Sequence, residues 1–584
     1  MRSPMLWLAL ACHLFLATGY AVLTPSFEGP DENSHYEYAW HIANAAQLPL
    51  SPGLASARGL PQTEGAVLAH HPPLYYALLA VCLATFGEDD TVFGPIPNPT
   101  FGDPASTGQH LHFLHGGDET SPWGEGRQVL LGLRLVSVLL GLASIFGVHR
   151  LGRVCCPAQP AVADTAALLV SCLPMWSFLH GVLNSDNLAT LLATVTVLML
   201  VKIARSERLA TGTVLGTGVL LALALLTKLT ALFLAPLTVV VFALAIRRDA
   251  RAGHGRRALV LTLGSLVTTI AISGWMFVRN AQLYGDPLAL SAHDAAFQPI
   301  PAEFRWHYFW GTAPWPASVP SFLPDVFTSL LGRFGWFHLP PHPALVWAGA
   351  ALTVCACLGL VLLAFDRSRM PRPLWLLVGA CLLVFAGTAH FNLTAPQPQG
   401  RLLFPAVGPA AVLFAAGLLR LGQMLHMQRV GRWLCALPPL VGAVVLLLWF
   451  KPAFDPSLAP GPDHYASMVG GVVDEVHTPG IMWREPFPAL PANVPPTLRW
   501  SDPGAGPDVL YSLYAYDDHG RVWLASYEWG VALRGGEAVV SEMAWSLLPK
   551  GRDLFLELRR VPDWRKGERL DEVPASAPLR CRRE

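Results

Sequence analysis

Two adjacent carboxylates, Asp31 and Glu32, open the stretch PDENSHYEYAWHIANAAQLP just after an apolar run at residues 5 to 24. A carboxylate placed there can take the proton of an attacking hydroxyl as a general base, with its neighbour assisting or orienting it. Pro30 makes Asp31 a suitable N-cap for a short helix reaching about Ala46. On that helix Asp31, His35 and Tyr38 share one face, while Tyr36, Ala39, Trp40 and Ala43 offer an apolar side to a membrane surface.

Further polar residues stand in otherwise apolar surroundings. HHPPLYY carries His70 and His71, with Pro72 holding His71 extended. Arg134 falls about 10 Å inside its apolar segment at 1.5 Å per residue, a depth at which a charge is either paired or functional. NSDN supplies Asn184 and Asp186, and Lys228, Arg279 and Arg401 each mark the end of an apolar run. Such cations can hold a phosphate by charge-assisted hydrogen bonds. Each residue also has a structural reading: Asp31 as a cap, Glu32 favouring a helix start, Arg134 paired within the protein, Arg279 and Arg401 snorkelling from helix ends. Asp31 and His35, one turn apart, could share a divalent cation. His110, His112 and His115 in HLHFLHGGDE fit a solvated loop better than a metal site.

The elements that position these residues follow from composition. Of 584 residues 53% are hydrophobic and 14% charged, against roughly 25% charged in soluble domains, which marks a polytopic membrane protein. Equal numbers of acidic and basic residues, 40 each, give no global field to attract nucleic acid. The ten cysteines show no metal-ligand spacing and no disulfide framework. Apolar runs near 5–24, 128–149, 161–182, 187–204, 258–280, 342–365, 372–389, 402–420 and 433–450, with two more inside 212–246, predict about eleven crossings. Residues 5–24 also fit a secretory signal, although a retained helix is the preferred reading.

Arginines and lysines cluster in the loops at 150–160, 202–210, 247–257, 366–373 and 420–432, which predicts that these are cytoplasmic. They alternate correctly only if the short run at 73–86 does not cross and lies instead at the outer face. Residues 25–127, with Arg58 and Arg127 against twelve acidic residues, are then external. The predicted organisation is a first helix at 1–24, an external loop at 25–127 with juxtamembrane helices, a bundle at 128–450 with an external loop at 281–341, and an external β-rich domain at 451–584. Strand-like stretches such as DVLYSLYAY and DLFLELRR, with turns at DDHG and RGGE, support that domain. Residues 88–126, rich in Gly, Pro and Asp, suit a cover for the site.

With this topology the carboxylates, histidines and cations all fall at one membrane face, as chemistry on a phosphate-bearing lipid requires. A transporter or flippase would carry polar or broken segments near the midplane instead. A non-catalytic assembly factor is a third reading.

Seven motifs, PDENSHYEYAWHIANAAQLP, HHPPLYYALLA, LRLVSVLLG, LNSDNLATLLAT, LLTKLTALFLAPL, WMFVRNAQLYGDP and QGRLLFP, occur in the order seen in bacterial GT-C glycosyltransferases. The chain resembles the branch related to protein O-mannosyltransferases and the lipid A aminoarabinose transferase over roughly residues 5 to 450. That resemblance implies a mainly α, polytopic GT-C fold in the bacterial inner membrane, with its site facing outward. It implies inverting transfer of a sugar from a polyprenyl-phosphate donor to an extracytoplasmic hydroxyl, without a nucleotide sugar; no cofactor is expected beyond the divalent cation considered above. Asp31 and Glu32 are then the catalytic pair, with His35, His70, His71, Arg134, Asn184, Asp186, Lys228, Arg279 and Arg401 as substrate-binding residues. Relatives often have lysine where this chain has His71.

Overall fold

The computed structural model describes residues 3–51, 54, 58, 65–86, 98, 101, 109–113, 115, 123–290, 300, 302–312, 321–366, 371–426 and 437–458, and C-terminal segments between 479 and 582. The DDHG turn beyond Asp517 and most of 88–126 lie outside the described residues.

The chain is mainly helical, with a C-terminal sheet. Among the described residues nine helical stretches are long and apolar enough to cross a membrane, from Pro4–Leu23 to Leu437–Leu458. Each predicted crossing is helical, but two are short. The predicted span at 161–182 is broken into α5 (Pro160–Ser171) and α6 (Pro174–Leu179). Pro174 has no N–H for an interior helix bond and suits the first turn of the second piece. The other short helix, α8 (Thr211–Leu225), stops before Thr227 and Lys228.

The bundle begins with α1 (Pro4–Leu23), which packs on α4 (Glu125–Cys155) and α5. Ala9, Ala17 and Ala21 are fully buried there and allow close approach. Helix α7 (Asp186–Arg205) lies against α4, α8 and α9 (Leu234–Arg251), and α10 (Gly255–Tyr284) packs on α8 and α9. Two helices of the first loop pack together, α2 (Glu32–Ala45) and α3 (Leu74–Phe86). At 13 residues α3 is short of a crossing. The α2 face expected to meet the membrane does not do so: Tyr36 and Ala39 are 1% and 0% exposed. They pack into the protein core because the surrounding helices supply a better apolar partner than the interface.

Cations near the ends of the predicted cytoplasmic loops gather at one end of the bundle. Arg248 donates to Ile203 O at 3.0 Å and Arg257 to Leu209 O at 3.0 Å. Ile203 O lies in the last turn of α7, where positive charge is favoured, and Leu209 O in the loop that leads into Thr211.

In the C-terminal part, strands β1 (Pro479–Trp483), β2 (Thr497–Ser501), β3 (Tyr511–Asp517), β4 (Val522–Ala525), β5 (Glu537–Val539), β6 (Asp553–Arg560), β7 (Ala575–Ser576) and β8 (Leu579–Arg582) form one sheet. Its order is β4-β3-β6-β7-β1-β2-β5, with β8 also on β6. Alternation sorts Leu513, Ala515, Leu554, Leu556 and Leu558 into the domain's own core. In the RGGE turn Gly535 takes a left-handed φ of 73°, which glycine adopts without steric cost.

The closest helix approach joins α13 (Pro343–Phe365) to α15 (Val407–Met424). A Cβ on Gly417 would lie 2.1 Å from Ala356 O, and one on Gly359 would lie 1.8 Å from Gly417 O. Small residues at such crossings let backbones touch, and packing of that kind drives helix association in lipid. Gly417→Leu should therefore separate α13 from α15, seen as a thermal midpoint in detergent several degrees below wild type. Gly422→Leu, with open space around its Cβ, should leave the midpoint unchanged.

Candidate active site

The site is built on a deeply buried ion pair. Arg134 and Glu32 are both fully buried. Arg134 Nε meets Glu32 Oε1 at 2.8 Å and Nη2 meets Oε2 at 2.6 Å. The remaining guanidinium hydrogens go to Ala21 O at 2.9 Å, Thr24 O at 2.6 Å and Pro25 O at 2.8 Å. A guanidinium has five donors, and here each has a protein acceptor. Glu32 also accepts the Leu183 N–H at 2.9 Å. The structure thus pairs these two residues with each other and with backbone, and presents neither to a ligand.

This clamp fixes where α2 starts, and so where Asp31 sits. Asp31 occupies the N-cap position with φ 60° and ψ 15°, and its carboxylate makes no capping bond. A left-handed backbone is unusual for a residue other than glycine and is held only when its surroundings determine it. The expected side-chain cap is absent because the carboxylate turns outward to Arg401, whose Nη2 lies 2.7 Å from Oδ2. Its side chain is 42% exposed while that of Arg401 is 9% exposed. Burial pushes the Asp31 pKa up, but Arg401, helped by Lys228, more than offsets this and leaves it below the usual value. The group is an anion at neutral pH.

Arg401 lies in a 3-10 turn, Gly400–Ala406, and also donates to Gln399 Oε1. Gly400 packs against the backbone of Leu330, where a Cβ would be 2.4 Å from its nitrogen. That contact seats the turn on α12 (Phe322–Gly332).

The Lys228 corner forms the next part. Lys228 Nζ donates to Asp186 Oδ1 at 2.6 Å, and Asp186 is 1% exposed. Asn184 Oδ1 takes the Asp186 N–H at 2.9 Å, an Asx turn that starts α7. Asn184 N–H donates to the Tyr75 hydroxyl at 2.9 Å, and Leu74 N–H to Leu226 O at 2.9 Å. These bonds tie α3 to both corners. Asp186 Oδ2 and Asn184 Nδ2 are buried with no protein partner among the described residues, which leaves polar capacity for water or a ligand.

His35 and His71 meet across α2 and α3, both bonded to the Tyr76 hydroxyl, at 3.0 and 2.9 Å. His70 packs edge-on against His71 at 4.5 Å. Arg279 stands further out, donating to Pro49 O at 3.4 Å. The structure therefore gathers Asp31, His35, His71, Asn184, Asp186, Lys228 and Arg401 at one end of the bundle. Among the described residues no group of three or more His, Cys, Asp or Glu is arranged to hold a metal ion.

Sequence reasoning missed Glu28, Tyr75 and Tyr76. Glu28 is fully buried and accepts the N–H groups of His112 and Phe113 and the His115 ring nitrogen, each at 2.9 Å. His112, Phe113 and His115 are thus docked on the protein and not in the solvated loop expected, because a buried carboxylate needs donors. His112 stacks on Trp336 at 4.4 Å, and Trp336 Nε1 donates to Phe27 O at 3.2 Å. The only sequence signal for the tyrosines was the doubled YY after HHPPL.

Glu32→Gln removes one charge of a buried pair, a change that costs about 3–5 kcal/mol. A marked fall in thermal midpoint in detergent is expected, whereas Asp31→Asn, which keeps an amide oxygen beside Arg401 and leaves that arginine its bond to Gln399, should lower the midpoint much less.

Residues 126–276 match the family model described as dolichyl-phosphate-mannose-protein mannosyltransferase. No curated protein matches. Among solved structures, ArnT from Cupriavidus metallidurans bound to undecaprenyl phosphate is similar at 15% identity and TM-score 0.46, over 84% of this chain and 83% of that one. The archaeal oligosaccharyltransferase AglB from Archaeoglobus fulgidus is similar at 12% identity and TM-score 0.41, over 80% of this chain and 58% of that one. Arabinofuranosyltransferase AftD from Mycobacteria is similar at 15% identity and TM-score 0.41, over 87% of this chain and 31% of that one. The match at 126–276 covers about a quarter of the chain and lies within the stretch over which the seven ordered motifs resemble GT-C glycosyltransferases.

Proposed function

We propose that the chain transfers a sugar from a polyprenyl-phosphate donor to a hydroxyl acceptor at the outer face of a membrane, with inversion at the anomeric carbon. The observation that carries this reading is Asp31. It is a strained, partly exposed carboxylate bonded to a mostly buried arginine at 2.7 Å, with the Lys228 ammonium close enough to act on its ionisation. An anion held ready among cations suits a reaction in which one negative group accepts a proton while another departs.

In the proposed step the acceptor oxygen attacks the anomeric carbon and the bond from that carbon to the phosphate oxygen breaks. The hydroxyl proton passes to an Asp31 carboxylate oxygen, and the lipid phosphate leaves with the bonding electron pair. Arg401 and Lys228 stabilise the charge that grows on the leaving phosphate. Arg401 then serves two anions. As it turns toward the phosphate, its hold on Asp31 weakens, and the carboxylate becomes a better base when one is required. Glu32 and Arg134 act beneath this by fixing α2. The name of one similar structure, ArnT bound to undecaprenyl phosphate, accords with such a donor.

Reconstituted protein supplied with a panel of radiolabelled polyprenyl-phosphate sugars should release or transfer sugar from at least one of them. A folded protein that binds none favours transport or assembly. Arg401→Gln strands no buried charge, because Asp31 is 42% exposed. Loss of a charge-assisted bond of about 1.5–3 kcal/mol should weaken donor binding roughly 10- to 100-fold.

A further inference from the structure

One hydroxyl in the site is not used by the reaction above. Tyr76 Oη bridges His35 Nδ1 and His71 Nδ1. The Tyr76 ring is fully buried and stacked on Tyr38 at 3.9 Å and 10°, which fixes the phenol between the two imidazoles. With one hydrogen and two lone pairs, a phenol whose hydrogen lies along this bridge donates to one ring and accepts from the other. The two imidazoles then hold opposite states at Nδ1, one bearing hydrogen and the other a free lone pair.

Their surroundings are unequal. His35 is 2% exposed. Burial depresses its pKa to about 3, and Lys228 and Arg401 add to this against the opposing Asp31 and Asp186. It is neutral at physiological pH. His71 is half-buried, next to His70, and its carbonyl accepts the Tyr38 hydroxyl at 3.2 Å. Arg279 acts on that same Tyr38 from α10. Of the two rings, His71 is the more open to a proton arriving from water. The His71 Nδ1–H then donates to Tyr76 Oη, the Tyr76 hydrogen turns to His35 Nδ1, and His35 keeps its own hydrogen on Nε2. One proton is gained, and every atom in the bridge keeps a partner.

We propose that Tyr76 is a positioning residue that lets His71 carry a proton toward an anionic phosphodiester headgroup, with neutral His35 as the acceptor that keeps the bridge intact. The site then holds one switchable cation beside the permanent charges of Arg401 and Lys228. This rests on the lipid-phosphate reading given above.

Two measurements separate the claims. The first is a ¹⁵N-histidine NMR titration of the full chain in detergent, with the His71 signal assigned through His71→Gln. Tyr76→Phe keeps the ring stack and removes the acceptor, so it should lower the His71 midpoint by about one pH unit, or tenfold in proton affinity. An unmoved midpoint overturns the role of Tyr76.

The second is binding of a short-chain polyprenyl methyl phosphodiester, whose own charge is constant from about pH 5.5 to 8.5 and so cannot mimic a histidine titration. Wild-type affinity should rise as pH falls through the His71 midpoint, by roughly 3- to 10-fold, the scale of one charge-assisted bond to a partly exposed group. His71→Lys should bind without that step, and Tyr76→Phe should shift it with the NMR midpoint. A step that persists in His71→Lys overturns the assignment to His71. Failure of the wild type to bind the probe at any pH removes the lipid-phosphate reading, and with it the purpose given to the charge, even where the NMR coupling holds.

Discussion

The pairing of Arg134 with Glu32 is the constraint on which the site depends. A guanidinium inside a helix bundle is costly unless every hydrogen finds an acceptor, and here each does, on α1's C-terminal turn, on the segment that follows and on Glu32. The pair joins the end of the first helix, the start of α2 and the middle of α4 through one ion. The Glu32 bond to Leu183 N–H brings in the turn before α7. With those four pieces locked, Asp31 has one place to go, and its left-handed backbone is a consequence of that lock.

Division of labour between adjacent carboxylates follows from burial. Glu32 is sealed and spends its oxygens on Arg134 and backbone, while Asp31, one residue earlier, is partly open and faces Arg401. Two side chains of the same chemistry thus have different tasks, one holding the scaffold and one facing the ligand. A similar contrast separates Arg134, with no free hydrogen, from Lys228, whose partner Asp186 keeps an oxygen with no protein partner among the described residues.

Much of the architecture could be read in advance because lipid imposes length and charge rules on each helix separately. Apolar runs located the helices, and the run at 73–86, read as too short to cross, is the 13-residue α3. What failed was tertiary. Pro174 cut one span in two, and the α2 face carrying Tyr36 and Ala39 met protein instead of lipid. Asp31 and Arg401 are 370 positions apart, and their bond could be anticipated only as membership of one membrane face. Glu28 looked like one more acidic loop residue until the backbone of His112 and Phe113 closed on it. Tyr75 and Tyr76 stood out only as a doubled YY, since nothing in their spacing shows that their hydroxyls join α2, α3 and the turn before α7.

The central claim is that the strained Asp31 carboxylate performs chemistry and is not a fold element. The most direct measurement compares wild type and Asp31→Asn in one reconstituted preparation, recording thermal midpoint, lipid-phosphate donor binding and sugar transfer together. Expected for the variant are a midpoint lowered far less than by Glu32→Gln, donor binding within a few-fold of wild type, and transfer lower by at least 10²-fold, the scale of a lost general base. Transfer at near the wild-type rate by Asp31→Asn would contradict the assignment.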